Sequence, residues 1–384
     1  MTAGPPLIFY STWPLGYHNV EPERKALGLA RAGFDVIYVA GVGVRNPRLS
    51  TLPKMADRLV RRVRAGSRVT TADEQPTLSS LSLLVAPPRQ VAPVRRLNRA
   101  WVERQLRRAV EPWSETVVWV RWPTPELVDA LETLRPAACV YECVDDYGAL
   151  PEWTPRWRAI HDSAEDALLA LADAVVVPSP LLAERYRARG KQVHLVPHGV
   201  DLFPWQERNR DPSDPVVVGF VGTLDYKLDA GIVGALARAH PEWRIRLVGP
   251  VQRGFPRVAL TLPNITIEPP VPHAEVGRIL AGIDLGLIPY VDGPGYQAQC
   301  PIKALEFLAA GRPSVAVPNP ALEEYAGLMS FARTPPEFVR EAERSLVRDS
   351  PELAARRRAA AEARTWDHRM AELTGILHDL VARR

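Results

Sequence analysis

The chain has 384 residues, of which 46% are hydrophobic and 24% charged, and its formal net charge is +4. This balance excludes a mainly disordered or collagen-like chain, and three sparse cysteines exclude a disulfide scaffold and favour a reducing, cytoplasmic setting. The length favours two domains, and no apolar run reaches the ~18 residues that a transmembrane helix needs.

The first half of the chain alternates short apolar runs with helical patterns. Strands rich in β-branched residues are predicted over 7–10, 34–40, 81–85, 116–120, 137–141, 174–177 and 193–196. Helices are predicted over 20–32, 53–65, 94–111, 155–172 and 180–189. The order strand, helix, strand implies a parallel sheet, because parallel neighbours need a crossover connection.

A stretch without periodicity, residues 197–214, interrupts the alternation and is interpreted as a domain linker that includes His198. The pattern then restarts, with strands predicted over 216–221, 244–248, 264–267, 284–290 and 313–317. Helices are predicted over 228–239, 273–282, 301–310 and, almost without interruption, 351–384. The sequence therefore predicts two doubly wound α/β domains in series. Ligands are expected beyond the carboxyl ends of the strands, in a cleft that the two domains would face.

The densest group of polar residues follows a strand and opens a helix, at QCPIKALEFLAAG, residues 299–311. Free N–H groups and the helix dipole suit a phosphate there, and a cation in the first turn, Lys303, is favourable only beside a bound anion. Glu306 lies three residues later on the same face, where its carboxylate can accept hydrogen bonds from a ribose diol. The alternative is a solvent-exposed Lys–Glu pair.

Two glycines flank the end of the first strand of the second half, in GFVGT at residues 219–223. Glycine lets the backbone approach a ligand closely, and Lys227 follows before the next helix. The segment is neither a Walker loop nor a full GxGxxG, so a tight strand-to-helix turn is the alternative.

Two adjacent carboxylates, Asp145 and Asp146, follow the strand at 137–141. At a strand end they suit a general base or the binding of hydroxyl groups, with a helix cap or a structural turn as the alternative. His18 lies in the first loop of the chain, where a lone histidine is either catalytic or structural.

Positive charge is concentrated in residues 45–110, which hold 15 Arg and Lys against four Asp and Glu, a net +11, while the rest of the chain sums to −7. Such polarity suits nucleic acid, an anionic membrane surface or a phosphorylated substrate. Because no recognised nucleic-acid motif accompanies the charge, nucleic acid is not the expected partner.

Four passages together resemble the GT-B glycosyltransferases. Three of them are VVVPSPLLAERYRARGKQVHLVPHGVD, VVVGFVGTLDYKLDAGIVGALARAHPEWRIRLVGP and NITIEPPVPHAEVGRILAGIDLGLIPY. The fourth, PIKALEFLAAGRPSVAV, is similar to the P-x-K-x-x-E pattern of bacterial polysaccharide transferases of the teichuronic-acid type. The resemblance implies the GT-B fold. Its parts would be an acceptor-binding Rossmann-like domain over 1–200, a donor-binding one over 201–365, and a terminal helix, 366–384, that packs back on the first.

The resemblance also implies a nucleotide-diphosphate sugar, with UDP as the commonest nucleotide, held by the second domain. By matching position, Glu306 is expected at the donor ribose, Lys303 at the diphosphate and backbone near Val271 at the base. The full set of implied donor-binding residues is Gly222, Thr223, Lys227, Val271, Ile302, Lys303 and Glu306.

One position departs from the family pattern. Many retaining members carry a glutamate eight residues before the second one, where this chain has Ala298. An inverting mechanism therefore stays open, with Asp145 or Asp146 as the base and His18 as a further catalytic candidate. A catalytically inactive sugar-nucleotide-binding homologue and a sugar-nucleotide epimerase of the same fold are the alternatives to a transferase.

The resemblance predicts that no metal ion is needed, because a helix dipole and a lysine can stabilise the leaving diphosphate. The sequence also has no Asp-x-Asp motif that would bind a metal ion. The expected acceptor is a glycan or a lipid-linked molecule. The Arg-rich segment 45–110 would then contact the inner face of the cell membrane, with Leu97, Trp101 and Leu106 entering the interface.

Overall fold

The computed structural model describes residues 4–13, 15, 20–41, 68–69, 78–89, 91–149, 153–202, 211, 213–252, 254–257 and 260–383. The chain forms two compact units, which are described separately. The first comprises Met1–Pro178, Leu182–Val196 and Met370–Arg384, and the second comprises Ser179–Leu181 and Pro197–Arg369. The main crossings into and out of the second unit therefore fall at Pro197 and Arg369, whereas the sequence placed them at 201 and 365.

Short strands form the centre of the first unit. The strands described are β1 (Pro6–Ser11), β2 (Asp35–Ala40), β3 (Arg68–Val69), β4 (Leu78–Ser82), β5 (Val117–Val120), β6 (Ala138–Glu142), β7 (Ala174–Val177) and β8 (Val193–Leu195). The helices of this half are α1 (Val20–Arg31), α2 (Ala92–Ala109), α3 (Pro125–Leu134), α4 (Pro155–Leu171) and α5 (Pro180–Ala188).

These strands form one sheet in the order β3-β4-β2-β1-β5-β6-β7-β8, in which every neighbouring pair is parallel except β3 and β4. Leu7 of β1 pairs with Val36 on one side and Val117 on the other. The chain builds outward from β1 through β2 on one side and from β5 onward on the other. Because the strand order reverses between β1 and β5, the loops after these strands diverge and open a crevice at their carboxyl ends.

The second unit repeats this plan. Its described strands are β9 (Val217–Val221), β10 (Arg244–Val248), β11 (Ile265–Glu268), β12 (Leu285–Ile288), β13 (Ser314–Ala316) and β14 (Ser330–Phe331). Its helices are α6 (Ala230–Ala239), α7 (His273–Ala281), α8 (Pro294–Gln297), α9 (Ile302–Ala309), α10 (Pro335–Arg348) and α11 (Pro351–Glu362). The sheet is parallel throughout, in the order β11-β10-β9-β12-β13-β14, so the strand order reverses between β9 and β12.

The last helix, α12 (Trp366–Ala382), returns to the first unit, as predicted. Its Leu373 and Leu377 are fully buried in the same core as Leu7 and Phe9 of β1. The helical tail is not continuous, since three residues, 363–365, separate α11 from α12. Burying apolar surface contributes roughly 25 cal/mol per Å² to the free energy of folding. The buried leucines of α12 therefore stabilise its packing against the N-terminal strand.

The predicted linker begins as packed structure. Gly199 and Val200 are buried, and Val200 forms backbone hydrogen bonds with Arg364 (3.0 Å) and Trp366 (3.3 Å). A Cβ atom on Gly199 would lie 2.7 Å from the Cα of Trp366, so glycine permits this approach. The start of the predicted linker therefore runs beside the segment that leads into α12, inside the second unit.

Helix α2 contains much of the described part of the basic segment, and it packs on α3. The guanidinium of Arg95 donates to both carboxylate oxygens of Asp129 (2.7 Å each), and Arg99 donates to the hydroxyl of Thr133 (2.5 Å). Two of the basic side chains are thus engaged within the unit. The predicted helix over 53–65 lies outside the described residues.

The apolar residues of α2 divide between two faces. Leu97 and Trp101 are 58% and 44% exposed, whereas Leu106 is fully buried. The predicted entry of Leu106 into a membrane interface is therefore wrong. Leu106 continues a buried stripe with Asn98 and Val102, because residues four apart share a helix face.

Three helices were absent from the prediction, namely α3, the short α8 and α10. Helix α10 had a readable start, because Thr334 and Glu337 form a capping box, in which each side chain accepts a hydrogen bond from the backbone of the other. Among the described residues, no helix combines the length and the apolar character needed to cross a membrane.

Gly286 of β12 sets how closely α9 approaches the second sheet. A Cβ atom there would lie 2.5 Å from the ring of Phe307 in α9. We expect Gly286→Ala to lower the free energy of unfolding by about 1–3 kcal/mol in urea titrations, because overpacked cores must shift. Gly293→Ala is the matched control, since a Cβ there meets no atom within 4 Å. Equal stability of the two variants would contradict this packing.

Candidate active site

Two of the predicted donor-binding residues meet at the carboxyl edge of the second sheet. Gly222 directly follows β9, and Lys303 lies in the first turn of α9, which follows β12 and α8. A Cβ atom on Gly222 would lie 2.8 Å from Cε of Lys303, so the lysine stem passes directly over the glycine. Gly222 also has a φ of 156°, which L side chains rarely adopt. The reversal of strand order thus brings the two segments together.

Lys303 and Glu306 form an ion pair that is mostly shielded from solvent. The lysine Nζ donates to Oε2 of Glu306 at 2.9 Å, and the two side chains are only 20% and 6% exposed. The alternative of a solvent-exposed pair is therefore wrong. Pro301 provides no capping side-chain oxygen for α9, whose first turn has no acidic residue, so this turn suits an anion.

A close backbone contact beneath this edge was missed by the sequence reasoning. A Cβ atom on Gly249, which follows β10, would lie 1.9 Å from the carbonyl oxygen of Gly222. Gly249 has a φ of 150°, and the N–H of Gly222 donates to Val248 at 2.9 Å. Glycine at the end of a strand, before Pro250, was the available signal.

The remaining predicted donor residues lie along the same edge. Thr223 is exposed after β9, Val271 is half-buried after β11, and Ile302 is the first residue of α9. Lys227 belongs to the β9–α6 loop, where its carbonyl accepts from Val291 at 2.7 Å. All follow carboxyl ends of strands, where a ligand of this sheet would lie, and their individual roles stay predictions.

The carboxyl edge of the first sheet contains a ring of four charged side chains, Glu21, Lys25, Arg121 and Glu142, here called the ionic ring. All of them except Glu21 are buried. Lys25 pairs with Glu142 and with Glu21 (2.5 Å). Arg121 completes the ring, donating to Glu21 at 2.5 Å and to Glu142 at 2.9 Å. Two positive and two negative charges balance, which is the condition for burying them together.

The ionic ring shifts the pKa values of its members in the direction that keeps them charged. Burial acts to raise the pKa of Glu142, but Arg121 and Lys25 outweigh it and hold that pKa below its ordinary value. Burial likewise acts to lower the pKa of Arg121, and Glu142 and Glu21 raise it above its ordinary value. The indole N–H of Trp119 also donates to Glu142, at 2.8 Å.

An aromatic cluster lies beside the predicted catalytic carboxylates. The rings of Trp122, Tyr147 and Trp153 surround the buried imidazole of His161, with centroids 5.0–5.7 Å from it. Tyr147 begins the short 3₁₀ turn that follows Asp145 and Asp146.

Asp145 and Asp146 have a structural part in this turn. The carbonyl of Asp145 accepts from the N–H of Tyr147 (3.0 Å), and that of Asp146 accepts from Ala149 (3.0 Å). The carboxylate of Asp146 pairs with Arg185 at 2.6 Å. The backbone contacts fit the alternative of a structural turn, and the catalytic role of either carboxylate stays a prediction. His18 lies outside the described residues.

Ala298, where many retaining relatives have glutamate, is fully buried at the end of α8. Its carbonyl accepts a hydrogen bond from the hydroxyl of Ser179 at 2.6 Å. In the part of the chain that the structure describes, no three His, Cys, Asp or Glu side chains cluster in a way that could hold a metal ion.

Part of the chain matches a known family. Residues 230–375 match the family model described as "Glycosyl transferase-like". The chain is 28% identical, over 289 residues, to a protein of Bacillus subtilis (strain 168) named for teichuronic acid biosynthesis, the glycosyltransferase TuaH. That match covers 67% of this chain and 72% of TuaH.

Solved structures share the fold over nearly the whole chain. Sucrose-phosphate synthase from Thermosynechococcus elongatus is 15% identical, with a TM-score of 0.72 over 99% of this chain and 100% of the other. Anabaena HepE in complex with UDP-glucose is 16% identical, with a TM-score of 0.62 over 98% of this chain and 100% of the other. The chain therefore has the GT-B fold, and its sequence is similar to that of glycosyltransferases.

The ionic ring predicts that the protein loses stability at acid pH. Because the pKa of Glu142 is lowered on folding, its contribution is present above the ordinary glutamate pKa of about 4.3 and is lost as pH falls through the lowered value. We expect Glu142→Gln to destabilise the protein by about 3 kcal/mol near neutral pH, since it leaves an uncompensated buried cation. The variant should also lose less stability than the wild type on acidification, in urea titrations at several pH values.

A charge-matched double variant is the control for this prediction. Lys25→Met combined with Glu142→Gln removes one charge of each sign, and we expect it to recover much of the stability lost by Glu142→Gln alone. A double variant as unstable as the sum of its two single variants would show that charge balance is not what stabilises the ring.

Proposed function

We propose that this chain is a glycosyltransferase that takes its sugar from a UDP-sugar and holds the nucleotide at the carboxyl edge of the second sheet. The observation that carries the proposal is the position of Lys303 and Glu306, which lie one helical turn apart in α9. Both lie near the end of β9, where Gly222 has no side chain that would obstruct a ligand. A nucleoside diphosphate presents an anion and a diol at a similar separation, so one ligand can engage both residues.

The proposed chemistry follows from the leaving group. Departure of the nucleoside diphosphate builds negative charge on its phosphate oxygens, and Lys303 with the first-turn N–H groups of α9 would stabilise that charge. Glu306 would exchange its bond to Lys303 for the ribose hydroxyls when the donor enters. This arrangement supplies the counter-charge from the chain itself, so we propose that the transfer needs no metal ion.

Two similar proteins support our choice of the nucleotide base and of the acceptor class. The structure of HepE is of a complex with UDP-glucose, and TuaH is named for teichuronic acid biosynthesis. We therefore propose UDP as the nucleotide and a hydroxyl of a cell-envelope glycan or a lipid-linked acceptor as the recipient. Asp145, Asp146 and His18 remain the proposed catalytic residues of the first unit, with Asp145 or Asp146 as the base.

We also propose that α2 contacts the inner face of the cell membrane. Arg96, Arg104 and Arg108 recur at multiples of four residues and share an exposed helix face with Leu97 and Trp101. A basic face that also exposes an indole and a leucine suits an anionic bilayer, where the charges bind headgroups and the apolar side chains enter the interface.

The donor proposal predicts a nucleotide-specific thermal shift. We expect UDP, rather than GDP, TDP or CDP, to raise the melting temperature, because a ligand that binds only the folded state stabilises it by mass action. Lys303→Ala should abolish most of that shift, whereas Lys191→Ala, a lysine of the first unit, should retain it.

Turnover of UDP-sugar should be lost in Glu306→Ala with the fold intact.

Each of the other possible results of the nucleotide thermal-shift and turnover measurements would change the proposed function in a specific way. A shift with a different nucleotide would replace UDP as the donor base. No shift with any nucleotide would contradict a nucleotide donor site and favour binding of a sugar chain. A UDP shift without turnover on any acceptor would favour an inactive binding homologue, and conversion of UDP-sugar without acceptor would favour an epimerase.

The membrane proposal predicts binding to vesicles of phosphatidylglycerol and phosphatidylcholine. At about 1 kcal/mol per arginine, replacing Arg96, Arg104 and Arg108 by alanine should weaken co-sedimentation roughly 100-fold. A triple alanine variant of the exposed residues Arg340, Arg344 and Arg348 of α10 removes the same charge and should bind as the wild type does. Equal binding by both triple variants would overturn the assignment to α2.

A further inference from the structure

We infer that a hydrogen bond between Asp201 and His273 positions the loop that meets the base of the nucleotide. This loop, residues 269–272, follows β11 and leads into α7, and it is here called the base loop. The inference rests on the proposed function, since it names residues that let the proposed donor site hold a nucleoside diphosphate more tightly than a bare diphosphate.

The base loop lies beside the strand ends that form the proposed diphosphate site. The strands β9, β10 and β11 are neighbours in the second sheet. Gly222 after β9 packs against Gly249 after β10, and the N–H of Gly249 donates to the carbonyl of Glu268, the last residue of β11, at 3.1 Å. Two strand spacings, about 10 Å in all, therefore separate Gly222 from the start of the base loop. A ribose bridges a similar separation between a diphosphate and a base.

The sequence of the base loop limits the hydrogen bonds that it can offer. Three of its four residues are prolines, which have no backbone N–H, so Val271 carries the only backbone donor of the loop. Within the described ranges of the chain, no hydrogen bond uses this N–H. The carbonyl oxygens of uracil can accept from it. Because hydrogen bonds weaken steeply with distance and angle, a single donor contributes only where its position is fixed.

The first end of the base loop is fixed at the edge of the sheet. Arg246 of β10 donates to both carboxylate oxygens of Glu268, at 2.6 and 2.7 Å. These hydrogen bonds hold the pKa of Glu268 below its ordinary value and that of Arg246 above it, so both groups stay charged near neutral pH. The prolines that follow restrict the φ angles of the loop itself.

The second end of the base loop is fixed by Asp201. Nε2 of His273, the first residue of α7, lies 2.5 Å from Oδ2 of Asp201, and since a carboxylate can only accept, the imidazole donates. The two side chains are 34% and 28% exposed, so water competes only in part for this bond. Asp201 directly follows Val200, whose backbone is hydrogen-bonded to Arg364 and Trp366. The histidine is therefore held by a packed segment of the second unit.

Fixing both ends prepares the base loop for its ligand. A loop that is ordered before binding loses little conformational freedom when the ligand arrives. Without the bond between Asp201 and His273, the loop would also adopt positions in which Val271 does not reach the base. A diphosphate at Lys303 makes no use of the base loop. Asp201 and His273 are therefore positioning residues whose effect is confined to ligands that carry a base.

The test compares UDP with inorganic pyrophosphate, which carries the diphosphate charge without a nucleoside, in calorimetric titrations of the full chain. We expect Asp201→Ala and His273→Ala each to weaken UDP binding roughly tenfold and to leave pyrophosphate binding unchanged. The double variant should bind UDP no more weakly than either single variant, since the two residues act through one bond.

Two further variants show whether the hydrogen bond itself is responsible. Asp201→Asn retains an oxygen that accepts from Nε2, and it should recover most of the UDP affinity lost in Asp201→Ala. His240→Ala is the matched control, because its imidazole also contacts carboxylates, those of Glu242 and Glu343, each at 2.9 Å. His240 precedes the amino end of β10, away from the proposed donor site, so this variant should bind UDP as the wild type does.

Three results would overturn the inference. The first is equal UDP affinity in the wild type, Asp201→Ala and His273→Ala. The second is a parallel loss of UDP and pyrophosphate in these variants, which would show a general loss of structure. The third is an Asp201→Asn variant that binds UDP as weakly as Asp201→Ala does.

The same titrations separate this inference from the proposed function. A wild type that binds neither UDP nor pyrophosphate would overturn the proposed donor site and the inference together. A wild type that binds both, with variants that keep the full UDP affinity, would overturn the inference alone. Pyrophosphate binding by Asp201→Ala and His273→Ala also reports that the donor site of each variant is folded.

Discussion

The reversal of strand order, once in each sheet, is the constraint on which both candidate sites depend. A parallel sheet can grow from its first strand in two directions only, and the loops at the point of reversal then diverge. In the second unit this brings a glycine after β9 beneath a lysine in α9, 81 positions later in the sequence. In the first unit it brings Arg121, after β5, beside Glu21 of α1.

The two edges use charge in different ways. In the ionic ring, each carboxylate pairs with both cations. Lys303 and Glu306 instead form a single ion pair at 2.9 Å, which the donor would open under the proposed function. The charges of the ionic ring are therefore compensated within the protein, whereas the proposed function uses those of Lys303 and Glu306 to bind a ligand.

Much of the fold was predictable because its signals are local. Apolar runs located most strands within two residues, and the spacing of Lys303 and Glu306 placed them on one face of a helix. The ionic ring was not predictable, since Lys25 and Glu142 are 117 positions apart and no pattern in either segment points to the other. The burial of Leu106 was also missed, although its spacing from Asn98 and Val102 carried the signal.

The side-by-side course of residues near Gly199 and Trp366 has a consequence for how the chain can be divided. The second unit is essentially one continuous insertion, Pro197–Arg369, and backbone hydrogen bonds already join its beginning to its end. A segment whose ends are neighbours can be excised, transplanted or circularly permuted with little loop-closure entropy to recover. Evolution can exchange such a cassette in the same way and leave the sheet that precedes it unchanged.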